Sequence, residues 1–347
     1  MARAGASKGS LDRPSFTLRP VADTGDRFTD FGPYVPSINA RGRVAFYAAL
    51  RSGGGIFVGG DGPIAEVAST DDLILDFTSH PDITDDGSWS AYAELRSGEQ
   101  ALVVGRAGRG ATVVDTRGSL ARVGPLGPTM NGSGMIAFRA DTRSGDAGIF
   151  KAQGASLVAV ADTRRFADTP RFAEFHGLPV LNDAGRVVFR ADLVDGGQGI
   201  YSDEGGELTL LADTSGVFAE LGRFPCLNAG GAVAFGATRK DGSAGVFTVS
   251  GGEVKTLIDA GASFESVRGA LIDDEGTIVF FATPRGGALG IHDAEARRVL
   301  SLRDPLFGST IVDFALNPVS INGQGQLAIR VKLASGKQLI VRADPVR

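Results

Sequence analysis

One phrase recurs seven times along this chain, and that recurrence limits the folds open to it. Pro-x-Ile-Asn-x-x-Gly-x-Val-Ala-Phe runs from Pro36 to Phe46, and versions of it return with Asn131 and Gly134, Asn182 and Gly185, Asn228 and Gly231, and Asn322 and Gly325. Two copies replace the Asn, as Thr84 with Gly87 and as Asp273 with Gly276. The anchor positions 39, 84, 131, 182, 228, 273 and 322 are 45 to 51 residues apart. A period of that size is one blade of a propeller.

Within a unit the order is constant. A short apolar stretch ends at the Asn, the Asn-x-x-Gly turns the chain, and a second strand covers residues 43–50. A Gly-rich loop leads to Gly55-Ile-Phe-Val, and a fourth apolar run covers residues 63–69. Each run is too short for a helix and is bounded by turn residues, so each predicts a strand. The 50 glycines among 347 residues suit many tight turns and few long helices. The expected fold class is all-β, a seven-bladed β-propeller with four-stranded antiparallel blades.

The ends of the chain predict how the ring closes. Fourth strands carry a signature seen in Leu157-Val-Ala-Val-Ala-Asp162-Thr163 and Leu208-Thr-Leu-Leu-Ala-Asp213-Thr214. The last unit lacks it, and the missing copy stands near the N-terminus as Leu18-Arg-Pro-Val-Ala-Asp23-Thr24. An N-terminal strand completing the last blade would pair the two ends and leave no open sheet edge there. This predicts a single domain over residues 16–347 behind a flexible N-terminal segment, residues 1–15.

Composition narrows the partners. With 43% hydrophobic and 22% charged residues the chain has material for a core. A net charge of −5 offers no long-range attraction to phosphate backbones or anionic lipid, so neither nucleic acid nor membrane is expected as a partner. The single cysteine, Cys226, excludes an internal disulfide and a cysteine-cluster metal site. The N-terminus lacks the apolar core of a secretory signal. The expected location is cytoplasmic, or secreted if a leader has been trimmed.

The turn residues are read as structural. Asn or Asp opening a turn bonds its own backbone two residues on, and Gly supplies the positive φ that closes a short hairpin. Asp162 and its equivalents are expected to cap the loop leaving the fourth strand. Along residues 39–46, 131–138, 182–189 and 228–235, with weaker copies at Thr84, Asp273 and Asn322, the chain resembles the bacterial tandem-repeat proteins named for their NxxGxxAF repeat. Members of that group are often exported and often carry a C-terminal anchor, features not visible here. The resemblance implies the repeat fold and brings no catalytic residue.

Function is sought where the repeat breaks. Just before each innermost strand a register holds Asp30, Asp76, Arg122, Glu174, Glu220, Ser266 and Asp313, an acidic ring interrupted twice. Carboxylates converging near an axis need positive charge among them, from arginines such as Arg139, Arg190 and Arg330 on the second strands or from Ca²⁺ or Mg²⁺. Interblade Arg–carboxylate pairs are the expected structural answer. The metal-ligand candidates are Asp30, Asp76, Glu174, Glu220 and Asp313. The catalytic candidates are His176, Tyr34, Glu174 and Arg122, and the ligand-binding candidates are Asp30, Asp76, His80, Glu220, Arg223, Arg268 and Asp313. A histidine among carboxylates titrates near neutrality, although His80 and His176 also read as polar loop surface and His292 as exposed. Arg51, Arg96, Arg143, Lys240 and Arg285 mark the hairpin tips as solvated turn residues or a basic crown.

No GxSxG elbow, Walker loop, HExxH or EF-hand occurs. The expected function is a binding propeller that takes a small-molecule, extended or protein ligand on the acidic-ring face. The alternative is an enzyme at the channel mouth, a lyase, cyclase or alkylating enzyme of secondary metabolism that uses carboxylates with or without a divalent metal.

Overall fold

The Asn-x-x-Gly turn joins blades as well as turning the chain. A computed structural model describes residues 16–71, 73–106, 109–164, 172–261 and 263–346; the expectation for residues 1–15 lies outside them. Asn39 Oδ1 accepts the N–H groups of Arg41 at 3.1 Å and Arg43 at 2.9 Å, fixing the turn, and its Nδ2 donates to the Thr84 carbonyl of the next blade at 3.0 Å. The same amide-to-carbonyl bond runs from Asn131 to Asn182, Asn182 to Asn228, Asn228 to Asp273 and Asn322 to Asn39, at 2.9 to 3.2 Å. Thr84 and Asp273 break the circle, because neither carries an amide to donate.

These turns end the innermost strands of seven antiparallel sheets. In the fourth blade the strands are Phe172–Leu181, Val187–Leu193, Gln198–Glu204 and Glu207–Asp213, in that order from axis to rim. No α-helix occurs among the described residues. The expected propeller is the observed fold. One residue before each turn, Ile38, Ile83, Met130, Leu181, Leu227, Ile272 and Ile321 line an axial cavity of about 240 Å³.

The core fills the blades with aromatic layers. Phe138 stacks on Phe150, Phe189 on Tyr201 and Phe235 on Phe247, each from second to third strand, with centroids 5.7 to 5.9 Å apart. The third-strand ring lies across the glycine two residues earlier, and a Cβ on Gly148 would meet the Phe150 ring at 2.8 Å. The Gly-Ile-Phe phrase is therefore a packing unit, each buried ring contributing roughly 1.5–3 kcal/mol.

Closure follows the expected split. Phe16–Asp23 pairs antiparallel with Gln338–Pro345, the third strand of the last blade. Thr24 N donates to Gln338 O and Gln338 N donates to Thr24 Oγ1, both at 2.9 Å. Arg342, 5% exposed, extends the seam into the first blade, reaching Gly42 O at 3.0 Å and Asp61 Oδ1 at 2.8 Å. Asp162 caps its loop as expected, accepting Arg164 N at 2.8 Å.

The hairpin tips are not simply solvated. Arg143 Nε donates to Gly118 O at 2.9 Å, Lys240 Nζ to Ser215 O at 3.1 Å and Arg285 Nη2 to Gly261 O at 3.2 Å. Each ties the loop between second and third strands to the loop entering the same blade from the rim. Those two sets of loops share one face, opposite the Asn turns.

Candidate functional site

The residues of the expected acidic register all lie where an innermost strand begins, in a repeated pattern of buried, exposed, exposed, buried. Phe172, Phe218 and their equivalents anchor the first position in the core, and the register residue itself faces solvent. What differs from blade to blade is the partner.

In the first two blades Asp30 Oδ1 accepts the Gly32 N–H, while Asp76 Oδ1 accepts Phe77 N at 2.9 Å and faces the Tyr47 hydroxyl at 3.4 Å. Tyr34 packs edge-on against Tyr47 with centroids 5.5 Å apart. Burial first, and then the Asp76 charge, raise the Tyr34 pKa, and the same causes push Tyr47 up to about 12. Both phenols therefore stay protonated.

Arg122, in the third blade, pairs with Asp141 directly across its own sheet at 2.8 Å. The sixth blade answers with Ser266 Oγ on Thr283 Oγ1 at 3.2 Å. Arg268 lies over the Phe281 ring at 5.7 Å, and Phe281 stacks on Phe314 of the seventh blade at 6.1 Å. Glu220, Arg223 and Asp313 are exposed.

The fourth blade is where chemistry-bearing groups converge. His176 Nε2 lies 2.7 Å from Asp192 Oδ2 and 3.8 Å from Glu174 Oε2. One ligand atom from each residue falls within 4.8 Å of the others. Among the described residues this is the one such group of three. Of the five expected metal ligands it contains only Glu174; Asp30, Asp76, Glu220 and Asp313 each sit on a different blade and belong to no cluster.

A bulge sets His176 in place. The strand register shifts between His176 and Val180, and Gly177 takes φ +64°, where a Cβ would collide with the Arg223 carbonyl of the fifth blade. Gly177 O accepts Arg139 Nη1 from the third blade at 3.3 Å. Three blades therefore fix the residue next to His176. Behind it lies Arg190, its cross-strand neighbour, 4% exposed, with Nη2 2.8 Å from Asp192 Oδ1 and with Nε and Nη1 unpartnered among the described residues. Burial lowers the Arg190 pKa, and the Asp192 charge opposes that shift.

Three expectations are corrected. His80 is not polar surface: it is 2% exposed, wedged against Gly127, and burial takes its pKa down to about 4. A neutral, enclosed imidazole cannot meet a ligand at the mouth. His292 is likewise buried, at 4% exposure, packed between Phe264 and Phe280. The Arg–carboxylate pairs of Arg122 and Arg190 lie within blades, because both partners sit on adjacent strands of one sheet. Asp192 was not among the candidates read from the sequence; its signal was its position two residues beyond Arg190 on the same strand face.

The fold and this cluster define a class, a seven-bladed propeller whose register end is polar and of mixed charge. No protein-family model and no curated protein sequence matches the chain. Solved structures do share the fold. Oligogalacturonate lyase from Vibrio parahaemolyticus matches with a TM-score of 0.59 at 11% identity, over 95% of this chain and 97% of that one. An oligogalacturonate lyase in complex with manganese gives 0.58 at 9% identity, over 96% and 99%. PorZ of Porphyromonas gingivalis, a bacterial surface component of the type-IX secretion system, gives 0.51 at 12% identity, over 91% of this chain and 47% of that one. At these identities the likeness is one of fold. No helix is long and apolar enough to cross a membrane among the described residues.

Proposed function

We propose that this chain is a binding propeller whose ligand docks over the acidic-ring mouth, anchored by a divalent cation at Glu174, His176 and Asp192. The observation that carries this reading is the convergence of those three side chains within 4.8 Å. The NxxGxxAF resemblance fits a repeat scaffold of this kind. One imidazole with two carboxylates suits Mn²⁺ or Zn²⁺ better than the all-oxygen preference of Ca²⁺ or Mg²⁺. A cation there would leave coordination positions for a small or extended ligand, with Arg122, Glu220 and Arg223 on the flanking blades as further contacts.

The enzymatic reading draws on the His176–Asp192 pair at 2.7 Å and on the fold shared with a manganese-bound lyase. It requires the opposite tautomer. An acid–base role has Asp192 hold Nε2–H and leaves the Nδ1 lone pair to act, whereas a cation takes the Nε2 lone pair.

Calorimetric titration of Mn²⁺, Zn²⁺, Ca²⁺ and Mg²⁺ into the full chain separates them. The proposal expects saturable binding of one ion, weakened at least about tenfold in Glu174→Gln and His176→Ala. No heat from any of the four, with the protein folded, would remove the cation and leave the acid–base reading as the better account.

A further inference from the structure

The residue that follows the turn Asn breaks the uniformity of that end of the axis. The second, fourth and sixth blades place Asp85, Asp183 and Asp274 there, and the other four place only Ala or Gly.

The ring itself holds these aspartates. Ala40 N donates to Asp85 Oδ1, Gly132 N to Asp183 Oδ1 and Ala229 N to Asp274 Oδ1, each at 2.8 Å and each from the preceding blade. A Cβ on Gly323 would collide with the Asp274 carboxylate, so the small residues leave room for the charged ones. One oxygen of each aspartate serves the scaffold, and Oδ2 makes no hydrogen bond among the described residues.

All three aspartates are exposed, and all three line the axial cavity of about 240 Å³. Two residues further in along each innermost strand stands the apolar ring that includes Ile83, Leu181 and Ile272. Between the acidic rim and the apolar ring, the Asn amides are already paired with neighbouring blades.

The charge of this cavity is unbalanced. Four carboxylates line it, the fourth being Asp82, and no lysine or arginine does. Asp82 already accepts Ile83 N and Met130 N, one with each oxygen, so the outer three carry the unmet charge. Carboxylates that share a site repel one another until a cation enters among them. Oxygens from these aspartates do not gather within 4.8 Å of one another, a spread too wide for one bare metal ion to bridge and open to a larger organic cation. A volume of about 240 Å³ falls below the roughly 300–1,000 Å³ of sites for drug-sized ligands, so the cation must be small. The apolar ring beneath the rim favours a hydrocarbon chain, in the arrangement by which a lysine buries its stem and keeps its ammonium in water.

We propose that the Asn end of the axis binds a small alkylammonium ion, its chain in the apolar ring and its charged head among Asp85, Asp183 and Asp274. The site lies at the opposite end of the axis from Glu174, His176 and Asp192, and it stands whether or not that cluster holds a cation.

Hexylammonium is a suitable probe, with 1-hexanol as the control that keeps the chain and loses the charge. Calorimetric titration into the full chain at neutral pH should show saturable binding of one hexylammonium, with 1-hexanol at least about tenfold weaker. From propylammonium to hexylammonium the affinity should rise about two- to fourfold per methylene. Asp85→Asn, Asp183→Asn and Asp274→Asn each keep the Oδ1 acceptor and remove a charge, so the triple variant should fold and should bind hexylammonium no better than 1-hexanol. Glu174→Gln should leave hexylammonium binding unchanged. Equal affinity for hexylammonium and 1-hexanol, no gain with chain length, undiminished binding in the folded triple variant, or no saturable binding to wild type would each overturn the proposal.

Discussion

At one end of the axis five blades set the same Asn amide against the next blade's carbonyl; at the other, the seven register residues share no common partner. The Asn end is uniform because each blade must satisfy the same buried turn, and an amide both accepts from its own backbone and donates to its neighbour. The opposite end carries no such obligation. Its register residues face solvent, so the sequence there is free to vary, and variation gathers Glu174, His176 and Asp192 on one blade alone. Repetition marks what the ring needs, and its interruption marks where a ligand can be told apart from the scaffold.

The hardest test of that contrast is Asn182→Ala. It leaves the Arg186 N–H and the Asn228 carbonyl short of partners and should cost about 2–4 kcal/mol in denaturant unfolding. Cation affinity at the far end should hold wherever the variant is folded. Gly177→Ala tests the point where the ends communicate through backbone. With φ +64° and the Arg223 carbonyl in the way, it should lose about 1–3 kcal/mol and also weaken cation binding by displacing His176. An unchanged affinity would detach the bulge from the site.

Asp82 sharpens the uniform end. Its buried carboxylate accepts Met130 N at 2.6 Å and Ile83 N at 2.9 Å, yet burial takes its pKa up to about 7. A folded pKa above the unfolded value of about 3.9 gives a contribution fully present below about pH 4 and lost as pH rises through about 7. Stability should therefore fall across that window. Other blades use Thr129, whose hydroxyl donates to Pro179 O at 3.0 Å, or Ser320, which donates to Pro36 O at 2.7 Å. Asp82→Thr should donate to Pro128 in the same way, flatten the pH profile and gain about 1–3 kcal/mol at pH 8.

The smallest effects belong to the mouth. Glu174 is exposed, and the Arg122–Asp141 pair has side chains 54% and 32% exposed. Glu174→Gln and Arg122→Ala should each change stability by less than about 0.5 kcal/mol, although Glu174→Gln should weaken the cation. A large stability loss from either would mean that this end, too, is built for the ring.

Spacing and patterning alone determined the ring of seven blades and the strand exchanged between its ends. Period, turn chemistry and the missing Asp-Thr copy are local facts, and a closed sheet follows from them because unpaired edges are costly. The acidic register was legible for the same reason. Its meaning was not. Which carboxylate meets which cation depends on the bulge at Gly177 and on contacts from three blades, none of them adjacent in sequence. Likewise His80 and His292, one residue type in two short loops and strands, turned out buried because of what packs on them, Gly127 against one and two phenylalanines around the other. Burial is a sum over distant neighbours, so only the assembled ring decides which of its polar side chains are left facing a ligand.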